Sequence, residues 1–303
     1  MRIYSNLQPL PSNLCTKTTK TILMQNGQNI NNNSDIKFVF FGTPYVASDT
    51  LEILSTHGFT PTVIVTSPDR PSGRGMKMTA TPVKEWAIVH NIPVLTPEKL
   101  DSEFYSSLSP FACSLAIVVA YGKILPKDFI ESFSLGVLNI HYSLLPHYRG
   151  ASPVESALLH GDTETGVTIQ RMVYELDAGD IVRMDEVSIL PTDNTTTLRA
   201  RLIRIGADIL AETLPDYVAG SIIPVPQDHT RATKCGKMKK EDGDITNETS
   251  DQIKWNKYRA YYEWPRTYFF RDGKRIIISE ASFENNSFVI KKVIPEGKKE
   301  MSY

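Results

Sequence analysis

From residue 35 onward, continuous apolar runs alternate with segments in which apolar residues recur every three or four positions. The runs have the length of buried strands and read IKFVFFG, TPTVIVTS, LAIVVAYG and LGVLNI. Helical spacing occurs in PYVASDTLEILSTHG, which stops at Gly58, and in TATPVKEWAIVHN, with Pro82 at the first helical position. Buried strands separated by helices predict an α/β fold with a doubly wound, mostly parallel sheet.

The pattern changes twice after residue 150. A predicted helix, SPVESALLHG, begins with the spacing of a capping box, Ser152 and Glu155 around Pro153. Two predicted strands and a long helix follow, and then the linker-like stretch AGSIIPVPQD. Beyond it the apolar runs shorten to RTYFFRD, KRIIISEA and SFVIKKV. We therefore predict one domain over 35–217, a linker over 218–228 and a small, mostly β domain over 229–303.

Length and composition agree with a two-domain globular protein. The chain has 303 residues, of which 41% are hydrophobic and 22% are charged. It contains no run of the roughly 18 to 20 apolar residues that cross a bilayer, so we expect no membrane partner. Cys15, Cys113 and Cys235 have no metal-like spacing and are interpreted as separate thiols in a reducing compartment. This indicates a cytoplasmic protein.

Residues 1–34 differ from the rest of the chain. The segment is polar, rich in Asn and Thr, and free of Asp and Glu. It lacks the apolar stretch of a secretory signal. We expect a disordered or dispensable extension. An organellar transit peptide is the alternative, and the protein would then reside in an organellar matrix.

Charge is unevenly distributed along the chain. From His229 to the end there are sixteen Lys or Arg residues and eleven Asp or Glu residues, a balance of +5. The preceding part has seventeen basic and twenty-three acidic residues, a balance of −6. A basic final third suggests a polyanionic partner, although a solvated charged face is the ordinary alternative.

The strand-like run LGVLNI ends in two polar residues of interest. Asn139 and His141 are two positions apart, so their side chains point to the same face of a strand. An amide and an imidazole can both donate hydrogen bonds to one oxygen and stabilise an oxyanion. Loss of one such donor typically raises the barrier by about 2.7 to 4 kcal/mol. The alternative is a histidine whose hydrogen bonds serve only the fold.

The stretch ELDAGDI supplies a carboxylate, Asp177, between two predicted strands. A carboxylate beside an imidazole favours its cationic form. Gly179 would allow the backbone to approach closely. Asp177 could equally be a plain turn residue, because Asp and Gly are common in turns.

Several enzyme classes are disfavoured. The sequence has no nucleophile elbow, no HExxH pair and no GxGxxG after its first strand. Covalent hydrolases, zinc hydrolases and dinucleotide-dependent oxidoreductases are therefore poor matches. The proposed chemistry requires no metal.

Taken together, the motifs resemble the folate-dependent formyltransferases. The pattern N-x-H-x-S-L-L-P-x-Y-R-G is followed by G-D-x-x-T-G-V-T-I and L-D-A-G-D-I, and FFGTPYVAS, SPDRPSGRGMKM and VVAYGKILP add to it. The resemblance covers about Ile36 to Ser302. It implies that Asn139, His141 and Asp177 are catalytic.

The resemblance also implies a fold and substrates. The expected fold is a Rossmann-like formyltransferase domain followed by an OB-like barrel that binds tRNA. The formyl donor would be 10-formyltetrahydrofolate. The motifs are most similar to those of members that formylate initiator methionyl-tRNA for translation initiation, and the resemblance implies a monomer.

Two sets of binding residues follow from the motifs. We expect folate to contact the strand-end segment AYGKILP and the loop after His141, through Tyr121, Gly122, Ile124, Leu125, Ser143, Leu144, Leu145 and Pro146. We expect tRNA phosphates to meet cations of the 67–78 loop, the loop after Pro146 and the start of the basic third, namely Arg70, Arg74, Lys77, Arg149, Arg231, Lys234, Lys237, Lys239 and Lys240. Prolines and glycines in the 67–78 segment predict an irregular loop. An ordinary solvated loop, a solvated basic linker and simple strand-end packing are the alternatives.

Tyr142 departs from the family pattern, which has a small residue there, and we expect it to narrow the crevice. Two other functions stay open. A related formyltransferase could act on a nucleotide-linked amino sugar or on glycinamide ribonucleotide with the same three residues. A tRNA-binding protein without activity is the alternative from another class, and the three residues together argue against it.

Overall fold

The computed structural model describes residues 35–72 and 76–303. The expected extension at 1–34 and the predicted tRNA-binding residue Arg74 lie outside the described residues. None of the helices in this part of the chain is long and apolar enough to cross a membrane.

The first half alternates strands and helices. In chain order the elements are β1 (Phe38–Gly42), α1 (Tyr45–Thr56), β2 (Val63–Val65), β3 (Arg70–Ser72), β4 (Lys77–Thr79), α2 (Pro82–Val89), β5 (Val94–Leu95), α3 (Ser102–Leu108), β6 (Leu115–Val119), α4 (Lys127–Glu131) and β7 (Val137–His141). Gly58 follows α1 with φ +82°, and Pro82 is the first residue of α2, as predicted.

The second half contains the long helix and a separate small sheet. Its elements are β8 (Arg149–Gly150), α5 (Pro153–His160), β9 (Glu164–Arg171), β10 (Asp180–Ser188), α6 (Thr195–Val218), β11 (Lys234–Cys235), α7 (Asp251–Ala260), β12 (Tyr268–Arg271), β13 (Lys274–Glu284), β14 (Ser287–Pro295) and β15 (Met301–Ser302).

Seven strands form the central sheet, in the order β10-β9-β7-β6-β1-β2-β5. The five strands from β7 to β5 are parallel to one another, whereas β9 is antiparallel to β7 and β10 is antiparallel to β9. The predicted mostly parallel α/β sheet is confirmed.

The two faces of the sheet are covered by different clusters of apolar side chains. Leu138 and Ile140 of β7 belong to the cluster that includes residues of α1, α5 and α6. Val137 belongs to the cluster formed with α3 and α4. Because side chains alternate along a strand, Asn139 and His141 lie on the same face as Val137.

Tyr142 continues this alternation, and the expectation that it narrows the crevice is wrong. Its side chain is buried in the same cluster as Leu138 and Ile140. It lies on the opposite face from His141, and burial raises the pKa of its hydroxyl.

The predicted capping box at Ser152 is also wrong. The Ser152 side chain makes no capping hydrogen bond to α5. Glu155 is buried and pairs instead with Arg199 of α6. Arg199 therefore draws Glu155 away from the helix terminus, and a capping box is found at Asn194 and Thr197, at the start of α6.

Within the described residues of the 67–78 segment, 70–72 and 77–78 are in strands, which differs from the irregular loop that the prolines and glycines suggest. β3 and β4 pair as an antiparallel ribbon, with Pro71 opposite Met78. Proline is compatible with such a ribbon because both strands are edges.

The C-terminal part forms the small antiparallel sheet expected there, in the order β12-β13-β14-β15. Its apolar face packs on α7, a helix that we did not predict, around Tyr258 and Ile278. The Thr195 hydroxyl at the start of α6 donates to the carbonyls of Arg259 and Ala260, which joins this part to the first.

Candidate active site

The last residues of β7 place Asn139 and His141 beside the antiparallel strand β9. Asn139 lies opposite Gln170, and His141 lies opposite Thr168. Cross-strand partners share one face of a sheet, so all four side chains are on one side. Asn139 is partly buried and His141 is buried.

The His141 imidazole is held between a backbone carbonyl and a carboxylate. Its Nε2 lies 2.9 Å from the Tyr148 carbonyl oxygen, which can only accept, so Nε2 carries the proton. Its Nδ1 lies 3.7 Å from Oδ1 of Asp177. Protonation of the ring would therefore create a second N–H donor on the side that faces Asp177.

Asp177 lies in the turn between β9 and β10, as predicted, with φ +49°. Its side chain is 10% exposed. Oδ1 accepts a hydrogen bond from Nε2 of Gln170 at 2.8 Å, and Oδ2 accepts one from the Gly150 amide at 2.8 Å. Two neutral donors thus fix the carboxylate beside the imidazole.

Two glycines permit close backbone approach around this carboxylate. A Cβ on Gly179 would lie 1.9 Å from the Arg171 carbonyl oxygen. A Cβ on Gly150, which has φ +127°, would lie 2.0 Å from the Cys235 carbonyl oxygen. The expected close approach at Gly179 is confirmed, and Gly150 is a second instance that we did not anticipate.

The loop after His141 is closed by its own hydrogen bonds. The Thr168 hydroxyl donates to the Ser143 carbonyl at 2.7 Å and accepts from the Leu145 amide at 3.1 Å. The Ser143 hydroxyl donates to the His147 carbonyl at 2.6 Å.

The predicted folate contacts of this loop differ in exposure. Ser143 and Leu145 are buried, while Leu144 lines a cavity of about 360 Å³ with His147 and neighbouring residues. Pro146 contributes its carbonyl, which accepts from the Thr233 amide at 3.2 Å.

The four residues predicted from AYGKILP divide into two groups. Tyr121 and Leu125 are buried in the core, and burial raises the pKa of Tyr121 to about 12. Ile124 is 79% exposed. Gly122 has φ +84°, and a Cβ added to it would meet no atom within 4 Å. Ile124 and Gly122, the second group, leave apolar surface and open space just after β6.

More exposed apolar residues precede Asp177 in the same turn. They are Val173, Tyr174 and Leu176. No periodic pattern marked these residues in the sequence, because they occupy a connection and not a strand or helix.

Among the predicted phosphate contacts, most described cations are exposed. This holds for the β3–β4 ribbon and for the basic run, namely Arg70, Lys77, Arg231, Lys234, Lys237, Lys239 and Lys240. Arg70 pairs with Glu98 at 3.1 Å, both side chains being 68% exposed.

Arg149 differs from these cations because its side chain is buried. Its Nη2 donates to Oε1 of Gln227 at 2.7 Å and lies 3.0 Å from Nδ1 of His229. Its Nε and Nη2 groups are thus engaged inside the fold, so Arg149 is not one of the exposed cations, and its contact with tRNA stays a prediction.

Two glutamines at the site were not identified from the sequence. Gln170 holds the Asp177 carboxylate, and Gln227 donates to the carbonyls of Asp177 and Gly179 at 2.9 and 2.6 Å. The two-residue period of β9 could have placed Gln170 on the face of His141. No local signal marks Gln227, which lies at the end of the predicted linker.

The chain is similar to known proteins in sequence and in fold. A family model described as formyl transferase matches residues 36–214. A methionyl-tRNA formyltransferase from Bdellovibrio bacteriovorus is 39% identical over 252 residues, which cover 82% of this chain and 79% of that protein. One from Chloroflexus aurantiacus is 42% identical over 248 residues, covering 82% and 80%.

Solved structures show the same fold. A methionyl-tRNA formyltransferase from Clostridium thermocellum superposes with a TM-score of 0.59 at 15% identity, covering 88% of this chain and 100% of that one. An N-formyltransferase from Helicobacter canadensis, in complex with folinic acid and dTDP-3-aminofucose, gives a TM-score of 0.63 at 18% identity, covering 82% and 88%. The family match, the extensive identity and the shared fold lead to one conclusion: this chain belongs to the formyl transferase family.

Proposed function

We propose that this chain transfers the formyl group of 10-formyltetrahydrofolate to the free amino group of methionyl-tRNA. The observation that carries the proposal is the arrangement of His141 between the Tyr148 carbonyl and the Asp177 carboxylate, with Asn139 on the same strand face. The relatives that are about 40% identical over most of the chain carry the name of this activity.

The formyl donor is proposed to bind next to these residues. Exposed Ile124 follows β6, and exposed Tyr174 and Leu176 precede Asp177, so apolar side chains accompany the catalytic group on two loops. A flat aromatic ring system favours such surfaces when a few polar groups fix its orientation. The open backbone at Gly122 leaves room for it.

In the proposed reaction, the amine nitrogen attacks the formyl carbon and forms the new C–N bond. The electron pair of the formyl C=O moves to the oxygen, to which Asn139 donates a hydrogen bond and protonated His141 donates the N–H that the free protein directs at the Tyr148 carbonyl. The oxyanion then re-forms the C=O bond as the bond to the folate nitrogen breaks, and that nitrogen takes up the proton that the attacking amine loses. We assign to Asp177 the transfer of this proton through water and the stabilisation of the imidazolium of His141.

The tRNA is proposed to be held mainly through its phosphates. Five exposed cations lie within residues 231–240, and two more lie on the β3–β4 ribbon. Phosphate contacts supply affinity without reading sequence and weaken as salt increases. A small acceptor such as an amino sugar would need no such surface.

The experiment is a formylation assay with two acceptors. The purified chain is incubated with 10-formyltetrahydrofolate and either charged initiator tRNA or a nucleotide-linked amino sugar. We expect formylmethionyl-tRNA, and we expect its formation to require His141. Formylation of the sugar alone would reject the proposed acceptor, and product from neither acceptor would reject the proposed transfer.

A further inference from the structure

The turn that carries Asp177 is held mainly by side chains from outside the turn. Asp177 has φ +49°, a left-handed conformation that non-glycine residues rarely adopt, although Asp tolerates it better than most. Such a conformation persists only where the surroundings determine it strongly. The origin of that constraint bears directly on the chemistry, because the same residue faces His141.

Two glutamines make four hydrogen bonds to the backbone and side chain of this turn. Gln170 donates to Oδ1 of Asp177 at 2.8 Å and accepts from the Gly179 amide at 3.2 Å. Gln227 donates to the Asp177 carbonyl at 2.9 Å and to the Gly179 carbonyl at 2.6 Å. Both glutamine side chains are buried, with residue exposures of 1% and 5%.

The orientation of each amide is fixed by its partners. Gln227 faces two carbonyl oxygens, which only accept, and its own Oε1 accepts from the Arg149 guanidinium at 3.2 and 2.7 Å. Gln170 faces a carboxylate oxygen on one side and a backbone N–H on the other. A reversed amide would lose every one of these bonds.

The second glutamine comes from the connection between α6 and the basic run. Val225 of that connection forms a two-way backbone bridge with Ile181 of β10, at 2.8 Å in each direction. Beyond Gln227, Lys234 and Cys235 pair with Arg149 and Gly150 in a parallel ladder. The amide of Gly150 in turn donates to Oδ2 of Asp177.

We propose that Gln170 and Gln227 are positioning residues for formyl transfer, which together hold the Asp177–Gly179 turn so that the carboxylate faces His141. Gln227 thereby makes the linker a part of the reaction centre. The inference rests on the proposed function, since it concerns the step that Asp177 serves.

The size of the expected effect follows from geometry. A misplacement of about 1 Å of a catalytic group can cost about 100-fold in rate. Replacing either glutamine with the isosteric but non-donating Met removes two hydrogen bonds to the turn. We expect kcat for formylation of charged tRNA to fall about 30-fold, with the KM for tRNA changed less than twofold.

The test is a double-mutant cycle with Asp177→Asn. Gln170→Met and Gln227→Met are each assayed in the wild-type and Asp177→Asn backgrounds, under single-turnover conditions that resolve slow transfer. A residue that acts through Asp177 should lose its effect once the carboxylate is gone, so we expect less than a twofold further change in that background. Gln252→Met on α7, where the amide donates to Asn256 at 2.9 Å, is the matched control and should keep wild-type kcat.

One further variant separates positioning from folding. Gln227→Glu keeps the acceptor for Arg149 and the shape of the side chain but removes both N–H donors to the turn. With an unchanged thermal midpoint, a fall in kcat for Gln227→Glu supports the proposal. A kcat within twofold of wild type in both Met variants overturns it, and so does a loss that persists in full in the Asp177→Asn background. A wild-type chain that forms no product overturns the proposed function as well, so the two failures are distinguishable.

Discussion

The reaction centre and the cationic surface use polar groups in opposite ways. At the centre, His141, Asp177, Gln170 and Gln227 are buried or nearly so, and each has partners fixed at hydrogen-bond or near hydrogen-bond distance. On the surface, the cations of residues 231–240 are exposed. The centre depends on distances, whereas the surface depends on the amount of charge.

The two regions should therefore respond differently to substitution. Buried hydrogen-bonded groups in a site of low dielectric lose much when one partner is removed. Exposed cations act through screened, roughly additive interactions, and each contributes little. We expect large effects on kcat from single changes at the centre and graded effects on tRNA affinity from the surface.

The largest effect is expected for His141→Ala. The change removes the proposed oxyanion donor, so kcat for formylation of charged tRNA should fall by about 10³-fold, while the KM for tRNA stays near the wild-type value. Single-turnover formylation together with tRNA-binding titration measures both. A fall in kcat of less than about tenfold would mean that the oxyanion does not form next to His141, and the expected contrast between the buried centre and the cationic surface would not hold.

The next largest effect is expected for Gly179→Ala. A Cβ there would lie 1.9 Å from the Arg171 carbonyl oxygen, so the turn must move away from β9. We expect the free energy of unfolding to fall by about 3 kcal/mol and kcat to fall with it. Gly236→Ala is the matched control, because a Cβ there meets no atom within 4 Å, and it should behave as wild type in both urea unfolding and activity.

A moderate effect is expected for substitutions in the basic run, residues 231–240. Changing Lys237, Lys239 and Lys240 together to Gln should raise the KM for tRNA about tenfold, because three exposed charges no longer meet phosphates. The slope of log affinity against log salt should become shallower by roughly one for each phosphate that the variant no longer binds. We expect the kcat of this variant to be unchanged, in contrast to that of His141→Ala. Lys127→Gln on α4 is the control for loss of one exposed charge elsewhere, and a rise in its KM of about twofold, one third of the tenfold effect on a logarithmic scale, would refute specific phosphate contacts.

The smallest effects concern Arg70. Its ion pair with Glu98 is largely exposed, so Arg70→Ala should change the free energy of unfolding by less than about 0.5 kcal/mol. We expect the KM for tRNA to rise about twofold, since the variant binds one phosphate fewer. Glu98→Gln frees the Arg70 guanidinium and should lower the KM slightly. If both changes move the KM in the same direction, Arg70 does not act as a free cation towards tRNA.

Much of the first domain could be predicted from local pattern. Continuous apolar runs identified β1, β2, β6 and β7, since strands buried on both faces need apolar side chains at every position. The spacing of Asn139 and His141 on one strand placed them on one face for the same local reason. Asp177 in a turn between β9 and β10 was also readable from the sequence.

Other features could not be predicted from the sequence, because partners far along the chain determine them. Ser152 and Glu155 have the spacing of a capping box, yet Arg199 of α6 pairs with the buried Glu155. Arg149 looks like a surface cation in sequence, but Gln227, far along the chain, takes up its guanidinium inside the fold. Helix α7 is short and its apolar residues are few, so its packing on the C-terminal sheet determines it more than its periodicity does.

Four properties follow from the order of residues alone: the α/β class, the strand that bears Asn139 and His141, the turn that bears Asp177, and the basic character of the final third. These depend on periodicity, on neighbours along the chain and on composition. That Asp177 faces His141, and that Gln170 and Gln227 hold it there, emerges only in the folded molecule. The hydrogen bonds responsible join residues as much as 50 positions apart, and no local pattern encodes a contact that exists only after the sheet has formed and the linker has folded back onto it.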